Sequence, residues 1–346
     1  MLDWPPRNHQ GGTHAEVRDR AQDPHDRRGR QLTAAPAALG SHIVYSPAYE
    51  ADIGSHVFPT EKFRRVYQRL TAEDGLEDAL EPGEPAREVL LRVHTPEYLD
   101  DFDLCRWTER TSMSELPISP EIVRWFKLSC GGTILAARAA LEQGWGAHLG
   151  GGFHHAFADK AEGFCYLNDL AVAARAVQAE ERVRRVAVID VDVHQGNGTA
   201  AIFRDDPTVF TFSIHQEDNY PIKERSDRDI GLVSWDPTRP GSPWVTDGLY
   251  LSLLAPAVEE ILDEFRPGLV LYQGGADPYE EDQLGGLRLT REGLRRRDET
   301  VFDACIRRGI PYAITFGGGY ARDVADTIAI HTETVRTARQ AAGGHR

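Results

Sequence analysis

Sulfur is scarce in this chain, with 4 cysteines and 2 methionines among 346 residues. Cys105, Cys130, Cys165 and Cys305 are widely scattered and form no CxxC pair. That excludes a cysteine-built zinc knuckle and suits a reducing compartment, so a cytoplasmic location is expected. No apolar run approaches the roughly 20 residues needed to span a bilayer. Arg27 and Arg28 are adjacent, but no apolar segment follows them, so an export signal is not expected. Positive charge is in deficit: 39 Lys+Arg against 54 Asp+Glu give a net charge of −15. The deficit argues against direct nucleic-acid binding and is compatible with cationic peptides or polyamines, or simply with a soluble enzyme kept in solution by its charge. No internal repeat is visible.

A hydrophobic content of 41% over this length is enough for one large α/β core or two smaller ones. Residues 1–40 are rich in Arg, Asp, His, Pro and Gly without periodicity, and read as a disordered tail or an over-long start. Order begins at His42-Ile-Val-Tyr-Ser-Pro. Helical patterns follow over 60–70, 85–92 and 96–102, the last with Thr95 as N-cap. Ser119-Pro120-Glu121 opens a longer helix that Gly144 would end, and Gly131-Gly132 within it suits the close approach of another element. Apolar strands at 186–191, 209–213, 269–273 and 312–316 then alternate with helices at 167–180, 246–265 and 290–307. This rhythm implies a single α/β domain with a central, mostly parallel sheet flanked by helices on both faces. Residues 225–245, with three prolines and no period, read as an irregular excursion. The catalytic domain is expected over 41–336, with a flexible C-terminal tail at 337–346.

The stretch RVAVIDVDVHQGNG at 185–198 organises the rest. Val186 to Ile189 form an apolar run suited to a strand buried on both faces. Asp190, Asp192 and His194 then alternate with valines, and on an extended chain residues two apart share a side. Gly196 and Gly198 suit a tight turn into a helix. One aspartate at a strand end usually caps the next helix, but buried carboxylates are costly without a compensating cation, and three donors in register point to a metal. Other clusters follow other strands: His154-His155 in GGGFHHA, Asp277 after Gly274-Gly275, and Tyr320 after three glycines. In open α/β sheets ligands gather beyond the carboxyl ends of the strands, where all four clusters lie.

GGGFHHA, GFCYLND at 163–169, DVDVHQGNG at 190–198, GGADPYEEDQLGG at 274–286 and GGGY at 317–320 resemble, in order and spacing, the zinc-dependent histone deacetylase superfamily, from about Ile43 to about Ile330. HQGNG and LGGLRLTREGLRRRDETVF at 284–302 look most like the class IV branch and bacterial histone deacetylase-like amidohydrolases. The resemblance implies the arginase-deacetylase fold. It implies Asp192, His194 and Asp277 as zinc ligands, in a three-ligand set that leaves a position open, as catalytic zinc requires. So oxygen-rich a set would also take Fe(II), Mn(II) or Co(II). It implies His155 as general base and acid, His154 as the neighbouring imidazole that supports charge and orientation, and Tyr320 as donor to the oxyanion. Asp190 and Asn197 are the implied partners of His154 and His155. Several branches carry Asp where this chain has Asn197, which would leave His155 less basic. A structural potassium site is implied at Asp190, Asp192, His194, Ser213 and Ile214. Phe164, Tyr220 and Leu284 match tunnel walls, and Gly163 a carbonyl acceptor for the substrate N–H. Taken alone, Phe164 or Tyr220 would read as ordinary core. His56, His94 and His215 read as structural.

The resemblance implies a metal-dependent deacylase acting on N-acyl-lysine in proteins or peptides, or on small acylated amines such as acetylpolyamines. Class IV relatives include enzymes that prefer long fatty acyl groups, so acetyl and fatty acyl chains both remain open, as does oligomeric state. A non-catalytic acyl-lysine reader would not need the full set of ligands, His pair and tyrosine. An arginase-like ureohydrolase would need further ligands for a second metal.

Overall fold

Val186 to Ile189 are buried on both faces, as a continuous apolar run requires of a central strand. The side chains of Val186, Val188 and Ile189 contribute about 1.5–3 kcal/mol each on leaving water. The computed structural model describes residues 39–234 and 244–343. Seven strands, β1 (Ile43–Val44), β2 (Trp145–His148), β3 (Val186–Asp190), β4 (Val209–Gln216), β5 (Arg228–Leu232), β6 (Leu269–Gln273) and β7 (Tyr312–Thr315), form one sheet in the order β1-β2-β7-β6-β3-β4-β5. Every pairing is parallel. All the carboxyl ends therefore meet at one edge.

The helices in chain order are α1 (Glu61–Asp74), α2 (Arg87–Leu90), α3 (Pro96–Asp103), α4 (Glu109–Ser112), α5 (Pro120–Gln143), α6 (Asp169–Ala179), α7 (Asn197–Phe203), α8 (Asp247–Glu264), α9 (Arg291–Arg307) and α10 (Val324–Gly343). One layer packs α5 on α6 and α6 on α7; the other packs α8 on α9, α9 on α10 and α10 on α1. Capping follows local chemistry. The Thr95 side chain accepts from Tyr98 N, and that of Ser119 from Ile122 N, with proline at the first helical position in both. Gly144 ends α5 in the left-handed region at φ 93°. The expected close approach occurs at Gly132, where a Cβ would lie 2.4 Å from His148 Nε2 and 2.6 Å from the Tyr49 hydroxyl.

Three boundaries differ from the sequence reading. The C-terminal tail expected at 337–346 is helical to Gly343: Thr337 and Ala338 are buried, and the Tyr312 hydroxyl donates to Ala338 O at 3.3 Å. A polar turn sequence such as Thr-Ala-Arg-Gln conceals this, because only every third or fourth side chain needs to face the core. The segment 225–245, expected to be irregular, contains β5, an edge strand held by its ladder to β4; its first four residues alternate between half-buried and exposed and only Leu232 is buried. Residues 235–243 lie outside the described residues, as do 344–346 and, from the expected N-terminal tail, residues 1–38. Finally, β3 stops at Asp190, one residue before the expected end, so Asp192 and His194 project from the loop beyond the strand.

Candidate active site

The loop after β3 is pinned on both sides. Val191 N donates to Gln273 O at 3.0 Å, and Val193 N to Asp277 Oδ1 at 2.8 Å. Gln216 N donates to Val193 O at 2.8 Å. These bonds carry Asp192 and His194 against Asp277, which follows β6. Asp192, His194 and Asp277 are all buried and offer one donor atom each within 4.8 Å of one another. His194 Nδ1 lies 3.1 Å from Asp192 Oδ1 and 3.2 Å from Asp277 Oδ2. Gly318 N donates to the other Asp192 oxygen at 2.9 Å. Position 318 tolerates nothing larger, since a Cβ there would stand 2.0 Å from Asp277 Oδ2.

The electrostatics fit a cation. Burial, then the charge of Asp192, pushes the Asp277 carboxyl up to about 7. Burial would lower His194, yet hydrogen bonds to Asp192 and Asp277 outweigh it and hold the ring up at about 10. Two carboxylates and an imidazole aimed at one point, without solvent, are the donor set of a divalent metal, and a cation among them removes the repulsion. Another basic group driven into this neighbourhood is Lys62, which the sequence reading missed. Its Nζ donates to Gly317 O at 2.7 Å and lies 4.7 Å from the Phe58 ring centre. Burial lowers it to about 8 against the pull of Asp277, Asp192 and Asp282.

The His pair stands beside this cluster. His154 Nδ1 is 2.7 Å from Asp190 Oδ2, and its Nε2 is 3.1 Å from His155 Nε2. Burial opposes protonation of His154, but Asp190 and then Asp192 outweigh it and raise the ring to about 8. His155 is the converse case: burial, then His154 and His194, press it well below the ordinary imidazole value. Its Nδ1 is 2.8 Å from Asn197 Oδ1. Gly196, which precedes Asn197, has φ −71° and is not a left-handed turn; a Cβ there would be 2.3 Å from Asp190 Oδ2, so close approach explains it.

Tyr320 is buried at the same pocket as His154, His155, Asp192, His194, Gly163 and Phe164. Its backbone N–H is fixed by Asp282 Oδ2 at 2.7 Å, and burial raises its hydroxyl well above the ordinary phenol value. Phe164 holds φ 63° and packs edge-on to Tyr320 at 6.0 Å and to His56 at 4.7 Å. The Tyr220 ring stands 5.3 Å from His155 and 6.2 Å from His194, partly open to solvent. Leu284 is brought beside Asn219, whose Nδ2 donates to its carbonyl at 2.8 Å. Ser213 is paired in register with Asp190 across β3 and β4, with Ile214 next to it. His94 and His215 are buried partners of neighbouring groups: Asn168 N donates to His94 Nε2 at 3.1 Å, and Ser213 Oγ is 2.9 Å from His215 Nδ1.

A second layer escaped the sequence reading. Gln273 Nε2 donates to Gly152 O at 3.0 Å, tying the β2 and β6 loops. Asp169 accepts from Gly152 N and Phe153 N at 2.9 and 2.7 Å and so holds the loop that presents the His pair. Buried Arg297 donates to Gly275 O at 2.6 Å and pairs with Asp298. Asp169 and Arg297 lie within the quoted motifs but have no role assigned there; each of the three gains meaning only from its distant partners.

A parallel sheet that gathers three carboxylates, three imidazoles and a buried phenol at its carboxyl edge defines an α/β protein with a buried metal-type centre. Residues 56–335 match the histone deacetylase domain. The chain is 41% identical over 309 residues to an uncharacterized protein of Picosynechococcus, covering 87% of this chain and 99% of the relative. It is 33% identical over 306 residues to histone deacetylase 2 of Arabidopsis thaliana, covering 85% and 78% respectively. It is 32% identical over 243 residues to the histone deacetylase-like amidohydrolase of Pseudomonas aeruginosa, covering 68% and 64%. The crystal structure of an HDA15 HD domain superposes with a TM-score of 0.71 at 24% identity, covering 86% of this chain and 90% of that one, which shows the shared fold. The chain belongs to the histone deacetylase family and is an enzyme of that hydrolase family.

Proposed function

We propose that this enzyme hydrolyses the amide of N-acyl-lysine in proteins or peptides. The observation that carries the proposal is the convergence of Asp192, His194, His155, Tyr320 and Phe164 on one pocket, with Asp277 in the same donor cluster and the Tyr220 ring beside His155. Asp192, His194 and Asp277 would hold the metal, zinc in this reading, with Fe(II), Mn(II) or Co(II) as substitutes. When bound, that metal supplies Lewis-acid activation of water and of the acyl carbonyl.

The chain's own groups do the rest. His155 Nε2 takes the proton from the attacking water as its oxygen bonds to the carbonyl carbon. Tyr320 donates to the carbonyl oxygen as negative charge develops there. The C–N bond then breaks, and His155 returns the proton to the lysine amine, leaving a carboxylic acid that ionises to the carboxylate as its proton passes to the free amine or solvent. His154, held by Asp190, supports that charge movement. The Gly163 carbonyl would accept the substrate N–H, and Leu284 would extend the tunnel wall. Asp190, Asp192, His194, Ser213 and Ile214 would hold a structural potassium ion. The absence of disulfides among the described cysteines suits a reducing, cytoplasmic setting.

Turnover on a matched pair of lysine peptides, acetylated and myristoylated, with and without chelator, tests the proposal. Chelator-sensitive release from either peptide is expected, and the ratio of rates sets the acyl length. No release from either, with one metal per chain, would refute it.

A further inference from the structure

Glu162 has no part in the chemistry above, yet it is 8% exposed and lies one residue before Gly163. Its Oε1 accepts from Asn197 Nδ2 at 2.7 Å. Its Oε2 pairs with Lys160 Nζ at 2.5 Å. Asn197 turns its other end, Oδ1, to His155 Nδ1 at 2.8 Å. His155, Asn197 and Glu162 therefore form one continuous chain of hydrogen bonds running away from the pocket.

The protons in that chain are decided at its far end. A primary amide has one end that accepts and one that donates, and half a turn exchanges them. A carboxylate only accepts. Glu162 therefore draws the NH2 of Asn197 toward itself, which leaves the carbonyl facing His155. A carbonyl also only accepts, so the hydrogen of the neutral imidazole must sit on Nδ1, and the lone pair on Nε2, which lies at the pocket 3.1 Å from His154 Nε2. The second acceptor near Asn197 Nδ2, the Ile222 carbonyl at 3.5 Å, is longer and uncharged. Were the amide to turn, Nδ2 would donate to the ring, the hydrogen would move to Nε2, and His155 would have no lone pair for the water.

We propose that Glu162 is a positioning residue for the hydrolysis. It fixes the rotamer of Asn197 and through it the tautomer of His155. It also places at one remove the negative charge that a neutral asparagine lacks. Lys160 holds the carboxylate in place. The inference rests on the reading of His155 as the base.

The test is a double-mutant cycle of Glu162→Gln and Asn197→Asp on the metal-loaded enzyme, with 15N NMR of labelled histidine. A glutamine keeps the size but no longer dictates which way the amide turns. Glu162→Gln is expected to retain its metal and lower kcat about tenfold, part of the 10²–10⁴ a general base supplies, with KM little changed. Asp at 197 accepts from Nδ1–H whichever way it turns, so in that background Glu162→Gln should cost nothing, or restore rate by relieving two facing carboxylates. NMR should show His155 protonated at Nδ1 in the wild type and a tautomer mixture in Glu162→Gln. Equal losses in both backgrounds, or an unchanged tautomer in Glu162→Gln, would overturn the proposal. If the wild type released no acyl group from lysine peptides, the deacylase reading would fail, and the tautomer measurement would still decide the role of Glu162.

Discussion

Tyr320 and Asp277 separate two functions that a single pocket combines. Tyr320 is fixed through its backbone by Asp282 and stands outside the donor cluster. Tyr320→Phe should therefore keep metal and fold and lose most turnover, corresponding to about 2.7–4 kcal/mol of transition-state stabilisation. Near-normal steady-state kinetics would refute its oxyanion role. Asp277 belongs to the cluster and also anchors Val193 N, so Asp277→Ala should abolish metal retention and activity together. Elemental analysis checks this, and a metal-loaded, active variant would remove Asp277 from the ligand set. These residues were legible because each sits in a short pattern with a physical reason: alternation past a strand, or glycines that clear space around a carboxylate. Lys62 and Glu162 were not. Lys62 reads as a solvated position in a charged helix until its bond to Gly317, 255 residues away, is seen. Glu162 reads as a surface charge until Asn197 closes on it.

At the scale of elements, α5 and β2 illustrate how a paired glycine announces packing without saying against what. The partner of Gly132 is the His148 ring, itself fixed by Tyr49 at 2.8 Å and Thr133 at 2.9 Å, so it has no room to yield. Gly132→Ala should destabilise the protein by about 1–3 kcal/mol or more through overpacking. Gly248, in the first turn of α8, faces open space. Gly248→Ala should be neutral or stabilise by up to about 1 kcal/mol. Thermal unfolding of the two variants makes the comparison, and equal midpoints would contradict it. The apolar core strands and the caps at Thr95, Ser119 and Gly144 could be read in advance, because burial and capping are local demands. The edge strand β5 and the last turns of α10 could not, since a ladder on one side or a thin apolar stripe suffices for them.

At the scale of the whole molecule, the donors at the metal-type centre come from loops after β3 and β6, which acquire their geometry only when the sheet is complete. A metal there binds the folded chain and not the unfolded one. At one hundred times its dissociation constant it would add about 2.7 kcal/mol to stability. Zinc should therefore raise the unfolding midpoint of the wild type and chelator reverse the rise, while Asp277→Ala shows neither effect. A midpoint of the wild type that ignores zinc would argue against a site in this cluster.

The position of β7 has a consequence for synthesis. Among the described strands Tyr312–Thr315 is the last to leave the ribosome, yet it lies between β2 and β6 and pairs with both. Until it arrives, two interior strands present bare backbone edges to the cell, and a chain that stops short of residue 312 keeps them for good. Such unpaired edges template association with other chains. Truncated products of this gene should thus accumulate as aggregates or chaperone clients, however well their earlier segments fold.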